Sequence, residues 1–143
     1  MSDVEYNLLM QNDVNTNGHT QWFFFQVKNT RKNNTVKFNI MNFTKADSLF
    51  NYGMKISVYS QKRADEENGE SWYKGCDKIS YYSNGIKKDN HYYSKGYYTA
   101  SFEYKFLYDD DVVYFAYAFP YTYSDLMQDL FEIESDSARR PIF

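Results

Sequence analysis

Tyr98-Thr99-Ala100-Ser101-Phe102-Glu103-Tyr104-Lys105-Phe106 alternates apolar and polar side chains over nine residues. Successive side chains of a strand point to opposite faces, so this stretch reads as an antiparallel strand with one buried face. Val36, Phe38 and Ile40 alternate with Lys37, Asn39 and Met41 in the same way. Gln21–Lys28 and Val112–Phe119 are nearly continuous runs of aromatic and aliphatic residues, which suits central strands covered on both faces. Lys55–Ser60 and Ser80–Ser83 read as shorter strands.

Turn chemistry falls between these runs. Asn17-Gly18, Asn33-Asn34, Asn68-Gly69, Asn84-Gly85 and Lys95-Gly96 contain residues that tolerate positive φ. Arg63–Glu70 and Gly85–Asn90 read as solvated loops, and Asp109-Asp110-Asp111 as a hairpin-like turn between two strong strands. Only the end has helical spacing. Thr122-Tyr123-Ser124-Asp125 offers a capping box, and Leu126, Leu130 and either Ile133 or Glu134 continue at helical spacing. Many short strands with regular turns predict an all-β fold, an antiparallel β-sandwich with a short C-terminal helix. One domain over residues 1–134 is expected, then a loose tail over 135–143.

Composition agrees with a packed domain. The 143 residues include 16 Tyr, 12 Phe and 2 Trp, but only 6 Gly and 2 Pro. Two sheets packed about 10 Å apart need bulky side chains between them, and the phenylalanines suffice for such a core. The tyrosines exceed it, because each buried hydroxyl needs a partner, so the surplus is expected at a docking face.

Several chemistries find no support in the residues. The net charge of −3 gives no global basic field for nucleic acid, and no apolar run reaches the roughly 18 residues of a membrane span. The only histidines, His19 and His91, lack a Glu three residues on, and Cys76 is the single cysteine. A catalytic zinc needs about three protein ligands, so no metal site, catalytic residue or cofactor is expected. The single thiol and the absence of a signal-like N-terminus suggest a reducing, cytoplasmic setting. Charge is unevenly spread. Between Gln26 and Lys62 seven bases face one acid, whereas Asp109 to Asp136 holds eight acids and no base. Solvated loops at opposite ends of the domain would account for this, as would a dipolar surface that docks an acidic partner.

Two segments are more specific than sandwich packing requires: Asp13-Val14-Asn15-Thr16-Asn17-Gly18-His19-Thr20-Gln21-Trp22-Phe23-Phe24-Phe25 and Tyr117-Ala118-Phe119-Pro120-Tyr121-Thr122-Tyr123-Ser124-Asp125-Leu126. Between them, in order, lie Phe38-Asn39-Ile40-Met41-Asn42, Ser48-Leu49-Phe50-Asn51-Tyr52-Gly53-Met54 and Ile79-Ser80-Tyr81-Tyr82-Ser83-Asn84. From about Glu5 to Leu130 the chain resembles the N-terminal domain of the cytosolic carboxypeptidases, M14-family zinc enzymes that trim glutamate from protein tails, including tubulin.

The resemblance implies an antiparallel sandwich that precedes a zinc carboxypeptidase domain. The family's His-x-x-Glu ligands and general base belong to that second domain and have no match here, so the expected role is non-catalytic. Asn15, Thr16 and Asn17 before Gly18 read as a side-chain-braced polar turn that sets strand register; alternatively His19, Gln21 and Trp22 face the catalytic domain or its substrate. The Pro120–Ser124 corner is either a rigid strand-to-helix turn or part of an interface, with Tyr121, Thr122 and Tyr123 as candidates. Lys28, Arg31, Lys32 and Lys37 are candidates for meeting acidic tails such as tubulin's. The expected partner is an M14 domain or another protein, with tubulin or microtubules in view. Other readings are a structural component of a microtubule or ciliary assembly, placed at the cytoskeleton or cilium, and a sugar-binding sandwich using Trp72, Tyr73, Tyr81 and Tyr82.

Overall fold

A computed structural model describes residues 4–16, 18–66, 72–87 and 96–136. Among these residues, eight strands form two four-stranded sheets. The first contains β1 (Val4–Leu8), β3 (Thr35–Phe43), β6 (Asp77–Lys87) and β7 (Gly96–Lys105), in the order β1-β3-β7-β6. The second contains β2 (Phe24–Val27), β4 (Ile56–Ser60), β5 (Trp72–Gly75) and β8 (Val113–Ala116), in the order β2-β8-β4-β5. A six-residue helix, α1 (Gln61–Glu66), follows β4, and α2 (Tyr123–Ser135) follows β8.

The alternating stretch 98–106 supplies β7, the centre of the first sheet. Its inward residues Ala100, Phe102 and Tyr104 are buried opposite Ile40, Phe38 and Val36 of β3. From the second sheet, Phe115 of β8 meets Phe38 and Tyr104 at ring separations of 5.2 and 5.1 Å. Each fully buried Phe side chain contributes about 2–3 kcal/mol by removing apolar area from water. The buried tyrosines satisfy their hydroxyls: Tyr81 donates to the Lys45 carbonyl at 2.5 Å, and Tyr73 and Tyr104 share a bond of 2.6 Å. Desolvation raises the pKa of both Tyr81 and Tyr104, keeping them neutral.

The all-β sandwich with a C-terminal helix is as the sequence predicts, but several details differ. The pairing is not wholly antiparallel, because β1 runs parallel to β3. The apolar run Gln21–Lys28 does not make a central strand. β2 lies at a sheet edge, with Phe25 and Val27 inward and Phe24 half exposed on the outer face. Consecutive aromatics there mean aromatic residues on both faces, one of them uncovered.

Asn84-Gly85 is not a loop turn. Gly85 takes φ 74° inside β6, where the register slips between Ser83 and Lys87. Asn84 stitches this bulge by donating to the Met41 carbonyl and to Thr99 Oγ1. The predicted loop Arg63–Glu70 is helical as far as Glu66, so the C-terminus is not the only helical part. Residues 67–70, Lys95 and His91 lie outside the described residues, as do 88–90 of the second predicted loop and 137–143 of the predicted tail. The partition of Phe to core and Tyr to surface also fails: Phe24, Phe119 and Phe131 are exposed.

The Asp109–Asp111 turn forms, with Asp110 at φ 47°, but it is no hairpin: β7 and β8 lie in different sheets, so it carries the chain from one sheet to the other. Asp111 is buried and accepts from Ser60 Oγ at 2.6 Å and from the Lys62 and Val112 amides at 3.0 and 2.7 Å. Its carboxylate thus clamps the start of α1 to the turn.

Candidate functional site

The two motif segments come together through the β2–β8 ladder. Phe24 stands opposite Ala116, and the Tyr117 amide extends the ladder by donating to the Phe23 carbonyl at 3.0 Å. The turn before β2 is braced as the sequence suggests: Thr16 Oγ1 donates to the Asp13 carbonyl at 2.8 Å, with Asn15 at φ 60° and Gly18 at φ 92°. His19 is exposed, and its carbonyl closes this turn by accepting from the Asp13 amide at 2.9 Å. Gln21 is half-buried and donates to Tyr117 Oη at 3.1 Å, tying one motif to the other. Trp22 is exposed and stacks on Phe24 at 6.2 Å.

At the second corner Thr122 caps α2. Its hydroxyl accepts from the Asp125 amide at 3.2 Å, while Asp125 Oδ2 accepts from the Thr122 amide at 2.7 Å. These bonds hold the Asp125 carboxyl below its ordinary pKa, the backbone contact leading. Tyr121 donates to Asp129 Oδ2 at 2.5 Å, which pushes its own phenol pKa upward. Tyr123 is 75% exposed.

α2 itself is the less expected element, because none of its residues is buried. Tyr123, Leu126, Met127, Leu130 and Phe131 recur at helical spacing and form one apolar stripe. Leu130 is 42% and Phe131 64% exposed. The predicted stripe ran through Leu126, Leu130 and either Ile133 or Glu134. Phe131 and Met127 were missed, although the i, i+4 steps from Met127 and Tyr123 reach Phe131 and, again, Met127.

Sequence reasoning also missed an aromatic patch on the outer face of the second sheet. Phe24, Tyr114, Tyr59 and Trp72 form a closed ring of contacts at 5.6, 5.8, 5.6 and 6.3 Å. Beside it Lys74 Nζ donates to buried Ser57 at 2.8 Å and lies 4.6 Å from the centre of the Phe119 ring. Partial desolvation lowers its pKa. The sugar-platform residues do not share a face. Trp72 points outward on β5, Tyr73 inward to Tyr104, Tyr81 is buried, and Tyr82 is exposed on the other sheet.

The four basic candidates separate. Lys28 and Arg31 line the same shallow hollow at one end of the open side of the sandwich. Lys32 is exposed next to them in sequence, its amide donating to Asp109 Oδ1 at 2.8 Å. Lys37 instead pairs with Glu5 at 2.9 Å on the outer face of the first sheet, and that bond raises its pKa while lowering that of Glu5. The basic and acidic segments are not at opposite ends either. Lys62 Nζ donates to the Asp109 carbonyl at 2.8 Å, so the acidic turn sits against the basic stretch.

Among the described residues, no three His, Cys, Asp or Glu side chains come together as a metal site, and no helix is long and apolar enough to cross a membrane. Cys76 is buried, and desolvation raises its thiol pKa well above the ordinary value. No protein-family model matches the chain. Among curated proteins, it is 40% identical over 139 residues to cytosolic carboxypeptidase 3 of Mus musculus, 97% of this chain. It is 43% identical over 134 residues to cytosolic carboxypeptidase 2 of Xenopus tropicalis, 94% of this chain. To cytosolic carboxypeptidase 1 of Homo sapiens it is 41% identical over 137 residues, 92% of this chain. The chain spans only 13%, 13% and 11% of the length of these three relatives. By sequence, the chain matches the N-terminal domain of the cytosolic carboxypeptidases over nearly its whole length.

Proposed function

We propose that the chain is a non-catalytic accessory domain of a cytosolic carboxypeptidase-like protein and that it packs against an M14 catalytic domain. The observation that carries this reading is α2. Isolated helices of about 13 residues are marginal in water, yet α2 presents an uncovered apolar stripe with no buried residue. A helix of this kind gains its stability from what packs on its apolar face. Tyr123 opens the stripe and Tyr121 precedes it, and Trp22 and Phe24 are exposed as well. Such residues are favoured in interfaces, being apolar in body and, for Tyr and Trp, hydrogen-bonding at the tip.

The test is co-purification with the carboxypeptidase domain of a relative such as the mouse protein. Wild type is expected to be retained, and Leu130→Glu/Phe131→Glu to be lost while remaining folded. Equal retention of both would refute the docking role of α2.

Recognition of acidic tails is a finer reading of the same role. Lys28 and Arg31 support it by sharing one hollow, with Lys32 next in sequence, while Lys37 is already engaged by Glu5. Microtubule co-sedimentation, with and without the tubulin tails, tests it. Equal pelleting in both cases would sink it.

A further inference from the structure

The two sheets are of equal strand number but are not in step. β2 ends the second sheet and lies over β3, its Phe25 ring 5.3 Å from Phe38. β1, one strand further out in the first sheet, therefore has no strand across from it. Its outward residues Glu5 and Asn7 bond Asn39. By alternation, Val4, Tyr6 and Leu8 point to the inner side, and Tyr6 stacks on core Phe38 at 6.0 Å. Two of the three are uncovered, Val4 at 41% and Tyr6 at 51% exposure. Between β1 and β2 runs an open slot of about 500 Å³ beside Leu8, Met10, Trp22 and Phe25, continued by a hollow of about 170 Å³ beside Tyr6, Val27 and Phe38.

The free edge of β2 borders this slot. Phe23 bonds across to Tyr117. In an antiparallel ladder alternate residues bond the same neighbour, so Phe25 and Val27 also face β8. Phe24 and Gln26 turn their amides and carbonyls to the open side. The strand Phe24-Phe25-Gln26-Val27 carries neither a charge nor a proline, the usual means of blunting an edge. Lys28 and Arg31 stand at one end of the slot, and among the described residues no acid lines either hollow.

We propose that the slot receives an added β-strand: an extended segment of another polypeptide, with alternating apolar side chains and carboxylates at the end that meets Lys28 and Arg31. Backbone pairing to Phe24 and Gln26 would give affinity, and alternate side chains would cover Val4, Tyr6 and Leu8. The basic end argues against this chain's own C-terminal residues, which include Arg139 and Arg140.

The test is a titration of the isotope-labelled chain with a capped peptide of about eight residues, alternating Val and Thr and ending in two Glu. Saturable shifts and slowed exchange at the Phe24 and Gln26 amides are expected. A peptide ending in two Lys should bind about tenfold more weakly. Lys28→Glu/Arg31→Glu, which changes only exposed side chains, should reverse that preference. Equal binding of the two peptides, no response at β2, or protection of β2 that rises with protein concentration alone would overturn the proposal; the last would assign the edge to a second copy. The assay contains no carboxypeptidase domain, so its outcome is independent of the accessory-domain reading.

Discussion

The sandwich interior and α2 are both built from aromatic and aliphatic side chains, yet they stand in opposite relations to water. Phe102 and Phe115 are fully buried between the sheets, whereas Phe131 and Leu130 on α2 remain exposed. The strands obtain their stability from one another. α2 has a good N-terminal cap, but none of its residues is buried. Local chemistry can start a helix; it does not say what the helix is for. The contrast implies that disruption of the sandwich should unfold the chain, whereas disruption of α2 should chiefly affect association.

Phe115→Ala should produce the largest effect, costing about 3–5 kcal/mol in chemical denaturation because it empties the centre of the core. A cost below about 1 kcal/mol would break the contrast at its buried end. Asp111→Ala removes a buried carboxylate that accepts three hydrogen bonds, and should cost about 2–3 kcal/mol. Calorimetry on this variant should also show an earlier loss of α1, whose first turn the carboxylate holds.

On α2, Phe131→Ala should change the stability of the chain alone by less than about 0.5 kcal/mol, yet weaken its complex with the carboxypeptidase domain by about 2 kcal/mol. Isothermal titration would measure the second number, and an unaltered affinity would remove Phe131 from the interface. Thr122→Ala should cost α2 about 1 kcal/mol by removing its cap, visible as reduced helical circular dichroism while near-ultraviolet signals from the core persist.

Acidification should act in the same restricted way. The Asp125 carboxyl is held below its ordinary value of 3.8. A carboxyl with a depressed folded pKa adds stability above its unfolded value, and that stability is lost as pH falls through the folded one. Helical signal should therefore fall below about pH 4 in wild type; Thr122→Ala should lose only the part due to the hydroxyl and keep the larger part due to the residue 122 amide.

The sandwich was legible because period-two alternation has a direct physical cause. In 98–106 every inward position is apolar, and register follows from one buried face. The edge position of β2 was not legible: an uninterrupted aromatic run reads as doubly buried, whereas strand order puts β2 at an edge and the two-layer architecture leaves its outer face to solvent. β1 escaped notice because its five residues gain their partner by a parallel pairing to a strand about 30 residues away, which no local turn announces. The capping box of α2 was readable at Thr122 and Asp125, since both partners lie within one turn. Its missing neighbour was not, because periodicity identifies an apolar face without identifying what covers it. Lys37 illustrates the same limit among the charges: its place in a basic stretch suggested acidic-tail binding, but the first sheet sets it against Glu5.

The most direct measurement is amide hydrogen exchange of the chain alone and with the carboxypeptidase domain of a relative. In the free chain α2 is expected to exchange far faster than β7 and β8, and in the complex to become protected. Strong protection of α2 in the free chain, or none gained in the complex, would contradict this.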